Sequence, residues 1–80
     1  MRIDKFLKVS RLIKRRTVAN DACEAHRIFV NDKVVKPSYQ IKQGDVLEIR
    51  FAKSVTKVRI TDVSNIVKKQ DASSLYEIMD

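Results

Sequence analysis

The chain has 80 residues, 44% of them hydrophobic, and a formal charge of +7, which bounds it to one small domain with one core. One glycine and one proline exclude a low-complexity chain. A single cysteine excludes an internal disulfide and fits a reducing compartment. No apolar run approaches the ~20 residues of a membrane span, and the charged N-terminus lacks a signal-peptide core, so a cytoplasmic location with no membrane partner is expected.

In chain order, residues 3–9 are expected to form a short helix, with Ile3, Phe6 and Leu7 at helical spacing and Asp4 in the first turn, where a carboxylate suits the helix dipole. Ser10 breaks it, and Leu12 and Ile13 follow as two apolar anchors. A second helix is expected over about residues 16–25, with a stripe of Val18, Ala19, Ala22 and Cys23 facing the core. Ile28-Phe29-Val30 reads as a strand, Asn31-Asp32 as a turn pair that tolerates positive φ, and Val34-Val35 as the return strand. Gln43-Gly44-Asp45 is a turn signal. Val46–Phe51 and Val55–Val63 alternate as strands, the second with Val58 and Ile60 opposite Lys57 and Arg59. Residues 64–70 read as a connector. Residues 71–79 are expected to form a helix carrying Leu75, Ile78 and Met79, capped by Ser74 in a box with Glu77 or else by Asp71. Two helices, then strands, then a helix define an α+β domain.

The charge is unevenly placed. Residues 1–16 hold Arg2, Lys5, Lys8, Arg11, Lys14, Arg15 and Arg16 against one acid, Asp4, a net +6, while the remaining 64 residues are close to neutral. Such an end attracts polyanions, and solubility alone would not gather the charge there. In Arg11-Leu12-Ile13-Lys14-Arg15-Arg16-Thr17, the apolar pair pins the segment to the core while four cations face outward. Arginine presents a planar fork suited to phosphate. Arg15 and Arg16 also stand at a helix start, where positive charge opposes the dipole and a bound anion, held also by the free amides of that turn, offsets the cost.

Catalytic chemistry finds no constellation. One His and one Cys cannot assemble a metal site, and one Gly cannot build a phosphate loop. Cys23 reads as a core residue and His26 as a helix-terminal residue in left-handed geometry. Asp4 and Asp45 read as ordinary helix-start and turn residues. Of the five aromatics, most read as core, with Tyr39 the exposed one, so they form no stacking platform for single-stranded bases. The expected protein is not an enzyme and uses no cofactor or metal.

Several blocks in this order carry a family resemblance: Arg2-Ile3-Asp4-Lys5-Phe6-Leu7-Lys8-Val9-Ser10-Arg11-Leu12, then Ile28-Phe29-Val30-Asn31, Val35-Lys36-Pro37-Ser38 and Lys42-Gln43-Gly44-Asp45. Over about residues 1–51 the chain resembles the ribosomal-protein S-four RNA-binding domain. Within that family it most resembles the stand-alone bacterial members of ribosome-associated quality control, and it is also similar to the small heat-shock members that bind stalled large subunits. The resemblance implies an αL-type RNA-binding fold: two N-terminal helices packed on a small antiparallel or mixed sheet over residues 1–64, with residues 65–80 as connector and short C-terminal helix. It implies large-subunit ribosomal RNA and peptidyl-tRNA as partners, with an alanine-tailing factor on the same ribosome, and a monomer that positions the tRNA. A general structured-RNA binder or a heat-shock-type rescue factor is the alternative. Carried onto this sequence, the RNA contacts fall on Arg2, Lys5, Lys8, Arg11, Lys14, Arg15 and Arg16, with Arg2 and Arg16 foremost. Three positions depart from the family pattern: His26 stands where a glycine is usual, Asn31-Asp32 where Asn-Gly is, and Arg15 where many members carry Ser or Thr.

Overall fold

The computed structural model describes residues 1–63 and 75–79. Helix α1 (Ile3–Val9) forms because Ile3, Phe6 and Leu7 share one face that is fully buried. It stops at Ser10, whose N–H donates to the Phe6 carbonyl and whose hydroxyl donates to that of Leu7. Arg11 then turns left-handed, at φ +64°. Ile13 is buried and its N–H returns to the Leu7 carbonyl at 3.0 Å, while Leu12 packs against the core, so both expected anchors hold the segment down.

Helix α2 (Arg16–Glu24) packs against α1 through Ala19, Ala22 and Cys23. Val18 departs from expectation, being 46% exposed. At 100° per residue it lies about 90° from the centre of the small-residue stripe, and a face built of two alanines and a cysteine is too narrow to include it. The helix ends with His26 at φ +59°. The His26 N–H donates to the Cys23 carbonyl and the Arg27 N–H to that of Ala22, both at 3.0 Å, the paired bonds of a Schellman cap.

The strands are β1 (Ile28–Val30), β2 (Lys33–Val34), β3 (Val46–Phe51), β4 (Ser54–Ile60) and β5 (Tyr76–Met79). They form one sheet in the order β2-β1-β3-β4-β5, and every pairing is antiparallel, which settles the expected choice between antiparallel and mixed. Ile28, Val30, Leu47, Ile49, Val58 and Ile60 alternate onto the inner face and join the helix residues in one core. Asn31 and Asp32 both take positive φ between β1 and β2, the two-residue turn whose twist suits a hairpin. Strand β4 ends at Ile60, three residues short of expectation.

The C-terminal helix is corrected. Residues 76–79 form strand β5, paired to β4 from Lys57↔Met79 to Ile60↔Tyr76; the part of that expectation on residues 71–74, like the connector on 64–70, lies outside the described residues. Leu75 is fully buried and Ile78 is 64% exposed, a split that a helical stripe of Leu75, Ile78 and Met79 would not produce. An isolated helix of this length is marginal, whereas the edge of β4 offers a ladder of backbone bonds to β-favouring Tyr and Ile. The aromatics are corrected too. Phe6 alone is fully buried among the five, Phe51 is 45% exposed at the end of β3, and Phe29 lies on the outer face beneath the Arg50 guanidinium, 3.9 Å from the ring centroid.

Candidate nucleic-acid interface

The one acid of the basic segment is the centre of the site. Asp4 is buried, with 3% of its side chain exposed. Its Oδ2 accepts from Arg2 at 3.2 Å, and its Oδ1 accepts from Arg16 at 3.4 Å and from the Lys5 amide at 2.8 Å. Arg2 and Arg16 are thereby brought together from 14 positions apart, while 45% and 46% of their side chains stay open to solvent. A buried carboxylate is tolerable only with such partners, and each guanidinium keeps donors free for a second acceptor.

The backbone holds this cluster in place. Residues 37–41 run beside the N-terminus: Arg2 bridges Gln40, the Ile3 N–H donates to the Tyr39 carbonyl at 2.8 Å, and the Asp4 N–H to that of Pro37 at 3.3 Å. The backbone of Arg2 is thus fixed beside residues 37–41. Arg16 is the first residue of α2, whose first turn has no side-chain cap and no acid. Of the other expected contacts, Lys5 is half-buried on α1, and Lys8, Arg11, Lys14 and Arg15 are exposed on its last turn and the loop into α2.

Beside the cluster, a cleft of about 530 Å³ opens between α2 and residues 34–38. Arg2, Asn20, Glu24, His26 and Lys36 line it together with Val34, Val35 and Pro37. A smaller hollow of about 290 Å³ at Asp4, Arg16 and Thr17 shares Asn20 with it. Cys23 reaches the cleft wall but is 1% exposed. Burial pushes its thiol up to about 11, with the charges of Asp4 and Glu24 adding to the effect, so the thiol stays protonated and unreactive at neutral pH. Among the described residues no group of His, Cys, Asp or Glu is placed to hold a metal, and no helix is long and apolar enough to cross a membrane.

Sequence reasoning missed Asp4 as a clamp and missed Asn20, Lys36 and Ser38 beside Arg2. The signal for Asp4 was its isolation: one acid among seven cations. The cleft residues carried no such signal, because the fold alone sets residues 34–38 opposite α2.

The S4 domain model matches residues 1–47, so the chain belongs to the S4 domain family. Within it, the chain is 55% identical to the RQC P-site tRNA stabilizing factor of Halalkalibacterium halodurans, over 98% of this chain and 89% of that protein. It is 43% identical to the factor of the same name from Bacillus subtilis, over 99% and 92%. Among solved structures it is similar to the trimeric Heat Shock Protein 15 of Vibrio cholerae, with a TM-score of 0.89 at 25% identity over 99% of this chain and 81% of that one. The solution structure of the hypothetical protein HP1423 gives 0.85 at 29%, over 100% and 98%.

Proposed function

We propose that this chain is a non-enzymatic RNA-binding factor of ribosome-associated quality control. It binds large-subunit ribosomal RNA and steadies the P-site peptidyl-tRNA on a stalled, split subunit while a partner factor on the same ribosome adds C-terminal alanines. The names of its full-length relatives support the role, and the Asp4 clamp carries the site. It presents Arg2 and Arg16 as two half-open forks set side by side, which spares RNA binding part of the entropy of ordering two long side chains. Lys5, Lys8, Arg11, Lys14 and Arg15 extend the positive field along α1 and the following loop, where phosphates dominate affinity and salt weakens it. All three members of the clamp come from one chain, so the proposed site needs no residue from a second copy, and a monomer is the working unit we propose.

Cosedimentation on a sucrose gradient, with wild type and Arg16→Ala side by side, tests the reading. Wild type travels with the large subunit and the variant stays at the top. Wild type remaining at the top removes the ribosome as partner and leaves free structured RNA in its place.

A further inference from the structure

The cleft beside Arg2 is lined by charged, polar and apolar groups together. At one end, Arg2 and Asn20 adjoin the hollow that holds Asp4 and Arg16. Glu24 and His26 line it at the C-terminal end of α2, and Val34, Val35 and Lys36 line it from the segment opposite that helix. Its volume of about 530 Å³ lies within the range of small-molecule sites. Arg2 and Lys36 thus share the cleft with the apolar Val34, Val35 and Pro37.

His26 supplies a second observation. Its backbone is left-handed, at φ +59°, in a Schellman cap where glycine costs least. It is exposed and lines the cleft. Nothing in the cap needs an imidazole, since both cap bonds are backbone to backbone. Strain of this kind, kept at a concave site, points to a use for the side chain, and an imidazole sharing a cleft with apolar side chains is suited to stack on a base.

We propose that this cleft receives one unstacked nucleotide of the bound RNA. Resting on the basic-interface reading above, the backbone tracks from Arg16 to Arg2, with Lys36 beside the turned-in phosphate. The base lies over Val34 and Val35 against the His26 ring. Asn20 donates and accepts at the base edge, and Glu24, which only accepts, takes its N–H groups. Recognition then includes a bulged or looped nucleotide besides duplex shape.

The test uses the full chain and two fluorescently labelled RNA hairpins, identical except that one carries a single bulged nucleotide in its stem. Wild type prefers the bulged hairpin by about tenfold, as expected for one stacked base. His26→Gly, which suits the cap and so folds, loses that preference, and His26→Tyr retains it. Arg16→Ala weakens both hairpins in equal proportion. An unchanged preference in His26→Gly, or none in wild type, overturns the nucleotide cleft. Loss of the preference in His26→Gly while Arg16→Ala binds like wild type upholds the cleft and overturns the Arg16 interface instead.

Discussion

Two aspartates of this fold, Asp4 and Asp45, are both buried and hold different kinds of partner. Asp4, in α1, accepts from two guanidiniums and one amide. Asp45, before β3, is 3% exposed and accepts from the Asn31 side-chain amide at 3.2 Å and the Lys42 backbone at 3.0 Å. Asn31 in turn accepts from the Val46 N–H at 3.0 Å, so Asp45 ties the β1–β2 turn to the start of β3. Asp4 restrains long cations whose tips stay in solvent, and Asp45 restrains backbone and a short amide. The partner decides the role of a buried carboxylate: neutral partners make a structural lock, and half-exposed cations are held in place with their tips open, the arrangement on which the proposed binding surface rests.

The comparison breaks first at Asp45. Asp45→Ala leaves the Asn31 amide and the Lys42 N–H without their acceptor and lowers stability by about 3 kcal/mol, read by urea denaturation, while the RNA affinity of the folded fraction is unchanged. An affinity loss equal to that of the Asp4 side would erase the distinction.

On the Asp4 side, alkaline stability reports the field under the helices. Cys23 ionises near 9 when exposed and at about 11 in the fold. Its contribution is therefore fully present below pH 9 and is lost as pH rises to about 11, because the unfolded chain releases the proton first. Two pH units amount to about 3 kcal/mol, and the part of the alkaline loss missing from Cys23→Ala measures it. Asp4→Asn lowers the thiol pKa, because the Asp4 charge is the second cause of the shift; an unmoved thiol titration would deny that reach.

Arg16→Ala weakens RNA binding by about 1–3 kcal/mol, read on the folded fraction because buried Asp4 loses one of its partners and the melting temperature falls, and it reduces the slope of log affinity against log salt by about one. Asp4→Asn sharpens the point. Removing a negative charge strengthens the long-range attraction for phosphate by a few tenths of a kcal/mol in water, but freeing two arginines costs about 0.5–1.5 kcal/mol each on binding. The second effect is larger, so affinity falls by about 1 kcal/mol, and a rise in affinity would show that the clamp only neutralises. The smallest effect is at His26: His26→Gly relieves the left-handed backbone and raises stability by about 0.5–1 kcal/mol, seen as a higher melting temperature.

Much of this was legible because local rules and tertiary demands agreed. The Ile3, Phe6 and Leu7 spacing marked α1 to the residue, and Val46–Phe51 marked β3. Asn31-Asp32 took the positive φ their side chains allow, and His26 took it at the expected helix end, at a cost in strain. Legibility failed where one pattern served two structures. Leu75, Ile78 and Met79 suit a helix face, yet the partnered edge of β4 drew them into a strand. Val18 matched the stripe by hydrophobicity and missed it by angle.

By itself, the sequence determined the two helices, the central hairpins and the concentration of positive charge in the first 16 residues, because periodicity, turn chemistry and charge are local properties. Only the tertiary structure decided that Asp4 would join Arg2 to Arg16, that residues 34–38 would face α2 across a cleft, and that the last strand would complete the sheet. Each of these depends on groups distant in sequence meeting in space, where burial makes a carboxylate seek its partners and an open strand edge makes a chain end extend.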